Sequence, residues 1–214
     1  MSEAPRAIVF DLDGTLVDSV PGIERACRRA IAEVWPGQVL PPLAAYVGPP
    51  IRELLRRALD PPPEVLEALA VRFRAHYDGG DWREMRAYPG ALDLLQHLRA
   101  RGIAAHVVTN KPAAPTGAMI AALGWASLLG EVLSPDSRVP AFASKAEAVA
   151  ALVASHALEP ARTWVVGDAP SDAEAARANA MRFVAAAYGY GGLGPTAPDA
   201  AVLAAPADLI GLLG

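Results

Sequence analysis

From residue 86 onward, short apolar, β-prone runs alternate with Ala/Leu-rich stretches of helical spacing, and this alternation restricts the fold more than any other feature. Residues 104–109 and 163–167 read as buried strands, as do 182–187, the shorter 131–133 and an edge candidate at 200–203. Between them, residues 91–101, 115–123, 145–156 and 171–180 carry helical spacing. Strands separated by whole helices cannot pair as hairpins; they build βαβ units and a parallel sheet. The expected class is α/β, with a Rossmann-like parallel sheet as its core.

One strand stands apart. Residues 7–10 are apolar and β-prone, but amphipathic helical stretches at 22–34, 51–59 and 64–77 follow, with no convincing strand before residue 86. The breaks between these stretches are rich in proline, as at Pro41-Pro42, Pro49-Pro50 and Pro61-Pro62-Pro63. The expected organisation is a core of residues 1–16 and 86–214 with a small all-helical cap inserted at 17–85.

Composition narrows the class further. A chain of 214 residues suits one core with a small accessory domain. A formal charge of -4 gives no electrostatic footprint for nucleic acid. Cys27 is the single cysteine, so neither an internal disulfide nor a thiolate cluster can form. With no signal-like N-terminus and no bilayer-length apolar run, the expectation is a cytoplasmic protein with no membrane contact. A monomer or homodimer is expected. Lys111 and Lys145 are the only lysines, which makes the position of each informative.

The chemistry collects at strand ends. The run 7–10 breaks off into Asp11-Leu12-Asp13-Gly14-Thr15. In an extended segment Asp11 and Asp13 face one side, at the carboxyl end where α/β sheets bind ligands. Close carboxylates repel, so a divalent cation with oxygen ligands would suit them; the plainer alternative is an acidic turn with Asp13 or Thr15 capping a helix. Val107-Val108-Thr109-Asn110-Lys111-Pro112 offers a hydroxyl and free N–H groups to an anion, although it also reads as an ordinary turn. Lys145 opens a helix, where a cation is unfavourable unless an anion lies nearby. Gly167-Asp168 ends another strand, with Asp172 placed in the next helix by an expected capping box of Ser171 and Glu174. Asp168 facing the first acid pair would make an oxygen-ligand site for Mg²⁺.

Taken in order, these motifs resemble the haloacid dehalogenase-like hydrolases, and among them the phosphoglycolate phosphatases with a small helical cap. Asp11-Leu-Asp13-Gly14-Thr15 is similar to the first family motif, Thr109-Asn110 to the second, Lys145 to the third, and Gly167-Asp168 with Asp172 to the fourth. Tyr188-Gly-Tyr-Gly191 is a lesser echo. Lys145 is followed by Ala146-Glu147 where many relatives have proline. The resemblance implies Asp11 as nucleophile and Asp13 as acid–base. It implies Mg²⁺ held by Asp11, the Asp13 carbonyl and Asp168, with Asp172 ligating through water or positioning Asp168, and a phosphoryl group cradled by Thr109, the Asn110 backbone and Lys145. It implies a phosphatase for a small phosphorylated metabolite, 2-phosphoglycolate being the best match.

Other chemistries fit less well. Asp13 argues against a dehalogenase, whose leaving group needs no proton. A phosphonate hydrolase would want a cap lysine, and residues 18–85 have none. A sugar phosphomutase of the β-phosphoglucomutase kind would need cap cations for a distal phosphate, with Arg52, Arg56 and Arg57 as candidates. A non-catalytic phosphate-binding module would not need both acids.

Overall fold

The computed structural model describes residues 4–191 and 200–213. Six parallel strands form the sheet: β1 (Ala7–Phe10), β4 (Ala104–Val108), β5 (Val132–Leu133), β6 (Thr163–Gly167), β7 (Arg182–Ala186) and β8 (Ala201–Leu203). Their order is β5-β4-β1-β6-β7-β8. β1 is central, pairing with β4 from Ala7↔Ala104 to Phe10↔Val107 and with β6 from Ala7↔Thr163 to Phe10↔Val166. The chain therefore leaves β1 for one neighbour and returns to the other side later, a topological switch point of the kind that opens a crevice at the strand ends.

Both faces of the sheet are covered. Ile8 and Phe10 point into the larger core with Leu94, Leu95 and Leu98 of α4 (Ala91–Ala100), Met119 of α5 (Ala113–Ala122) and Leu209 of α8 (Asp208–Leu212). Val9 points the other way, against Val149 and Leu152 of α6 (Lys145–His156) and Ala175 of α7 (Pro170–Ala178). This is why β1 reads as continuously apolar: a strand buried on both faces has no polar side to show.

Between β1 and β4 the chain makes a two-stranded antiparallel ribbon, β2 (Val17–Asp18) with β3 (Arg86–Ala87). The excursion between them is helical: α1 (Val20–Val34), α2 (Ile51–Leu59) and α3 (Pro63–Gly79). Proline lies at N1 or N2 of α1 and α3, where its missing N–H costs nothing. Leu54, Leu55, Leu66, Leu69 and Phe73 bury the inner faces of α2 and α3, with α3 packing against both α1 and α2. Among the described residues, no helix is long and apolar enough to cross a membrane.

Two local expectations are corrected. The helix after β6 starts at Pro170, with Ala169 as its N-cap, so Ser171 and Glu174 do not form the capping box. Asp172 supplies the cap, its Oδ2 accepting from Ala169 N at 3.0 Å. The first helix is entered from Ser19, so neither Asp13 nor Thr15 caps it.

Candidate active site

Asp11 follows β1, Thr109 follows β4 and Asp168 follows β6, so the three expected motifs end on adjacent strands of one sheet. All three side chains are buried. A turn seats the first motif: Gly14 N donates to Val17 O, and Leu16 N and Val17 N both donate to Leu12 O. Gly14 carries φ +85, and a Cβ there would lie 2.2 Å from Asp168 Oδ2. Only glycine lets the chain turn this tightly over the second acid cluster.

Lys145 Nζ sits 2.6 Å from Asp172 Oδ1 and 3.0 Å from Asp11 Oδ1, with the lysine almost fully enclosed. The anion that a lysine at a helix start requires is thus supplied twice. Ser144 starts the helix by accepting from Glu147 N at 3.2 Å, and Glu147 in turn accepts from Ala143 N at 2.7 Å. The Ser-Lys-Ala-Glu sequence is therefore a helix start that aims its lysine inward.

Asp11, Asp168 and Asp172 each offer a carboxylate oxygen within 4.8 Å of the others. Burial pushes the Asp11 carboxyl up to about 8; Lys145 pulls it down, while Asp172, Asp168 and Asp13 push it further up. Asp168 is raised to about 6, by burial first and then by Asp172, against the backbone N–H of Tyr190 and the charge of Lys145. For Lys145 the cost of burial is outweighed by Asp11 and Asp172, which hold its pKa above the ordinary lysine value. Crowded, desolvated carboxylates are a hard oxygen donor set, and Asp13 Oδ1 is buried without a hydrogen-bond partner. The residues fit a small divalent cation.

Thr109 Oγ1 accepts from Lys111 N at 3.2 Å and stays at the end of β4. The Asn110 side chain turns away, donating from Nδ2 to Gly48 O at 3.1 Å in the helical segment. Its backbone is what remains available to an anion. The site opens on a cavity of about 540 Å³ between core and helical segment, lined by Asp11, Asp13, Thr109 and Asn110 below and by Val47, Ile51, Leu54 and Phe73 above.

Two features escaped the sequence reading. Lys111 is buried, with Nζ 2.8 Å from Asp13 Oδ2 and 4.8 Å from the centre of the Tyr77 ring. The signal available was the scarcity of lysine. The Tyr188–Gly191 echo also has a concrete use: Tyr190 N and Gly191 N donate to Asp168 Oδ2 at 2.7 and 3.0 Å. Tyr190 Oη donates to Asp18 Oδ1 at 2.6 Å, and Tyr188 Oη to Thr15 O at 2.7 Å, which ties this loop to the ribbon leading to the helices. None of the four histidines lines the cavity, nor do Trp82 or Tyr88. Arg52 and Arg56 are engaged by Glu67 and Glu53.

An open crevice at a switch point, two acids just after the central strand and a buried lysine beside them fit a hydrolase of the haloacid dehalogenase-like type. Residues 8–186 match the family model described as haloacid dehalogenase-like hydrolase, and the chain belongs to that family. Within it the likeness is to phosphoglycolate phosphatases. That of Rhodospirillum rubrum is 36% identical over 200 residues, covering 87% of this chain and 81% of that protein. The crystal structure of a predicted phosphoglycolate phosphatase from Haemophilus somnus superposes with TM-score 0.84 at 26% identity, covering 98% of each chain. The structure of the Mycobacterium tuberculosis protein tyrosine kinase A superposes with TM-score 0.84 at 28% identity over 99% of each chain, so proteins of this architecture are described with more than one activity.

Proposed function

We propose that the protein is a Mg²⁺-dependent phosphatase that hydrolyses a small phosphate monoester, with 2-phosphoglycolate as the best candidate, and that residues 17–85 act as its cap. The observation that carries the reading is the meeting of Asp11, which lines the cavity, with Lys145, Asp168 and Asp172 buried beside it, the lysine bridging Asp11 and Asp172. Asp11 is the nucleophile: its carboxylate oxygen attacks phosphorus, the ester P–O bond breaks, and Asp13 gives its proton to the leaving alkoxide. Asp13 then takes a proton from water, the water oxygen attacks phosphorus, and the bond to Asp11 breaks to release phosphate. Lys145, Thr109 and the Asn110 backbone hold the phosphoryl oxygens. Asp11, the Asp13 carbonyl and Asp168 would hold Mg²⁺, with Asp172, itself fixed by Lys145 and Ala169 N, ligating through water or positioning Asp168. When bound, the ion neutralises charge on the transferring phosphoryl group.

The need for a combined set follows from magnitude. Phosphate-monoester hydrolysis demands accelerations up to ~10²¹, and a positioned acid or base supplies only ~10²–10⁴. A phosphomutase is less well supported, because Arg52 and Arg56 are already committed to carboxylates. Phosphate release from a panel of phosphorylated metabolites, with Mg²⁺ and with EDTA, tests the reading. Metal-dependent release that Asp11→Asn abolishes without loss of fold is expected. Wild-type rates in that variant would refute the nucleophile. Conversion of β-glucose 1-phosphate to the 6-phosphate without phosphate release would make the protein a mutase.

A further inference from the structure

The cavity wall is mainly apolar, and the cations among its lining residues are Lys111 and Arg74. Their settings differ. Arg74 is exposed to solvent on α3, where an ion pair with substrate would be screened by water. Lys111 is buried beside Asp13, with its ammonium over the face of Tyr77 and an apolar wall around it.

A lysine ammonium is a compact charge with three rotatable donors, so it can serve a second oxygen while holding Asp13. On the phosphatase reading, the ester oxygen of the substrate lies within about 2.6–3.2 Å of Asp13. In a phosphorylated 2-hydroxy acid the carboxylate is attached to the carbon bearing that oxygen, and its own oxygens lie roughly 3 Å away by ordinary bond lengths. A carboxylate so placed falls within reach of the ammonium that Asp13 already contacts. A neutral alcohol in the same place would leave Lys111 with only Asp13 and the Tyr77 ring. Asp78 and Asp136 also line the cavity and disfavour an anion elsewhere along the wall.

We propose that Lys111 is the specificity determinant of the site, reading a carboxylate adjacent to the ester, so that the preferred substrates are phosphorylated 2-hydroxy acids rather than phosphates of neutral alcohols. This rests on the phosphatase reading above and adds to it the residue that selects the substrate.

The test compares 2-phosphoglycolate with its neutral amide, 2-phosphoglycolamide, in the wild type and in Lys111→Met, Lys111→Arg and Arg74→Met. A charge-assisted contact predicts a wild-type kcat/KM ratio of roughly tenfold to hundredfold in favour of the acid. That ratio falls to near unity in Lys111→Met, is partly kept in Lys111→Arg and is retained in Arg74→Met. If Lys111→Met turns over neither ester, the ratio of dissociation constants measured in the Asp11→Asn background, with and without Lys111→Met, decides the matter. Equal wild-type rates on acid and amide would overturn the proposal, as would a preference that survives Lys111→Met or is lost in Arg74→Met. Phosphate release from neither ester, or from any other, would instead refute the phosphatase reading, and the assignment of Lys111 would fall with it.

Discussion

Replacing Lys145 by Met tests the electrostatic core of the site directly. Four carboxylates, Asp11, Asp13, Asp168 and Asp172, meet only two ammonium groups, Lys111 and Lys145, so the metal-free site already carries an excess of negative charge. Lys145→Met keeps the unbranched stem of the side chain, one atom shorter, but leaves Asp172 Oδ1 and Asp11 Oδ1 without their contacts at 2.6 and 3.0 Å. Breaking a buried pair by removing one partner costs about 3–5 kcal/mol. Asp11, pushed up to about 8 even with Lys145 lowering it, is held higher still once the lysine is gone and can take a proton to relieve part of that, so the lower end is expected at neutral pH and the full cost only in alkali. Against a typical stability of about 5–15 kcal/mol this is a large loss. At ~2–4 °C per kcal/mol for a chain of this size, Tm falls by roughly 6–20 °C. Thermal and urea melts in EDTA at pH 8 measure the fall in Tm and the loss of stability. The double variant Lys145→Met/Asp172→Asn removes both partners and should recover at least half of the loss, the signature of a coupled pair. A single-variant loss under about 1 kcal/mol, or no recovery in the double variant, would show that the lysine is not compensating buried acids.

Three further outcomes follow. Asp13→Ala should lower kcat by ~10²–10⁴, as expected for an acid–base group, and a loss below about tenfold in a folded variant counts against the role. Cys27 is fully buried, and burial, with Glu24 adding to it, pushes its thiol up to about 12; native protein should therefore resist thiol reagents at pH 8 and react only on unfolding. Stoichiometric labelling within minutes in native buffer would contradict that burial. His106 is held below the ordinary histidine value, by burial first and by His156 second, with Glu131 opposing; its Nδ1 accepts from Glu131 N at 3.0 Å. The unfolded chain binds this proton more readily, so its contribution is present above the unfolded value near 6.5 and lost as pH falls below it. Urea melts at pH 7.5 and 5.5 should show a smaller acid-induced loss in His106→Gln than in the wild type, and equal losses would remove His106 from the account.

The sheet and the strand-end positions of the candidate site were legible for one reason: both depend on short-range pattern. A strand buried on both faces must be apolar throughout, and its end must show where the chemistry begins, so Asp11, Thr109 and Asp168 could be placed by reading where apolar runs stop. Helix ends were less legible. Pro170 reads as a barrier to helix but is the residue on which the helix starts, because N1 is where proline fits, and the cap then falls to Asp172 rather than Ser171. The Asn110 side chain could not be placed either, since its partner, Gly48 O, lies 62 residues away in sequence. The grip of Tyr190 N and Gly191 N on Asp168 is likewise a long-range backbone contact with no local signature.

Lys111 shows where composition holds more than pattern does. Of the nineteen basic residues only two are lysines, and both are buried against the acids of the site. Arginines such as Arg6, Arg25, Arg52 and Arg72 lie instead in exposed ion pairs. The division has a physical basis. A guanidinium brings five donors in a rigid fork, and enclosing it obliges the structure to satisfy all of them. An ammonium is a compact charge on a flexible stem, able to reach one or two carboxylates in a narrow space and to turn toward an incoming anion. A chain that otherwise uses arginine places its two lysines where a small, buried and rotatable cation meets the acids, and the scarcity of lysine was the one trace of this in the sequence.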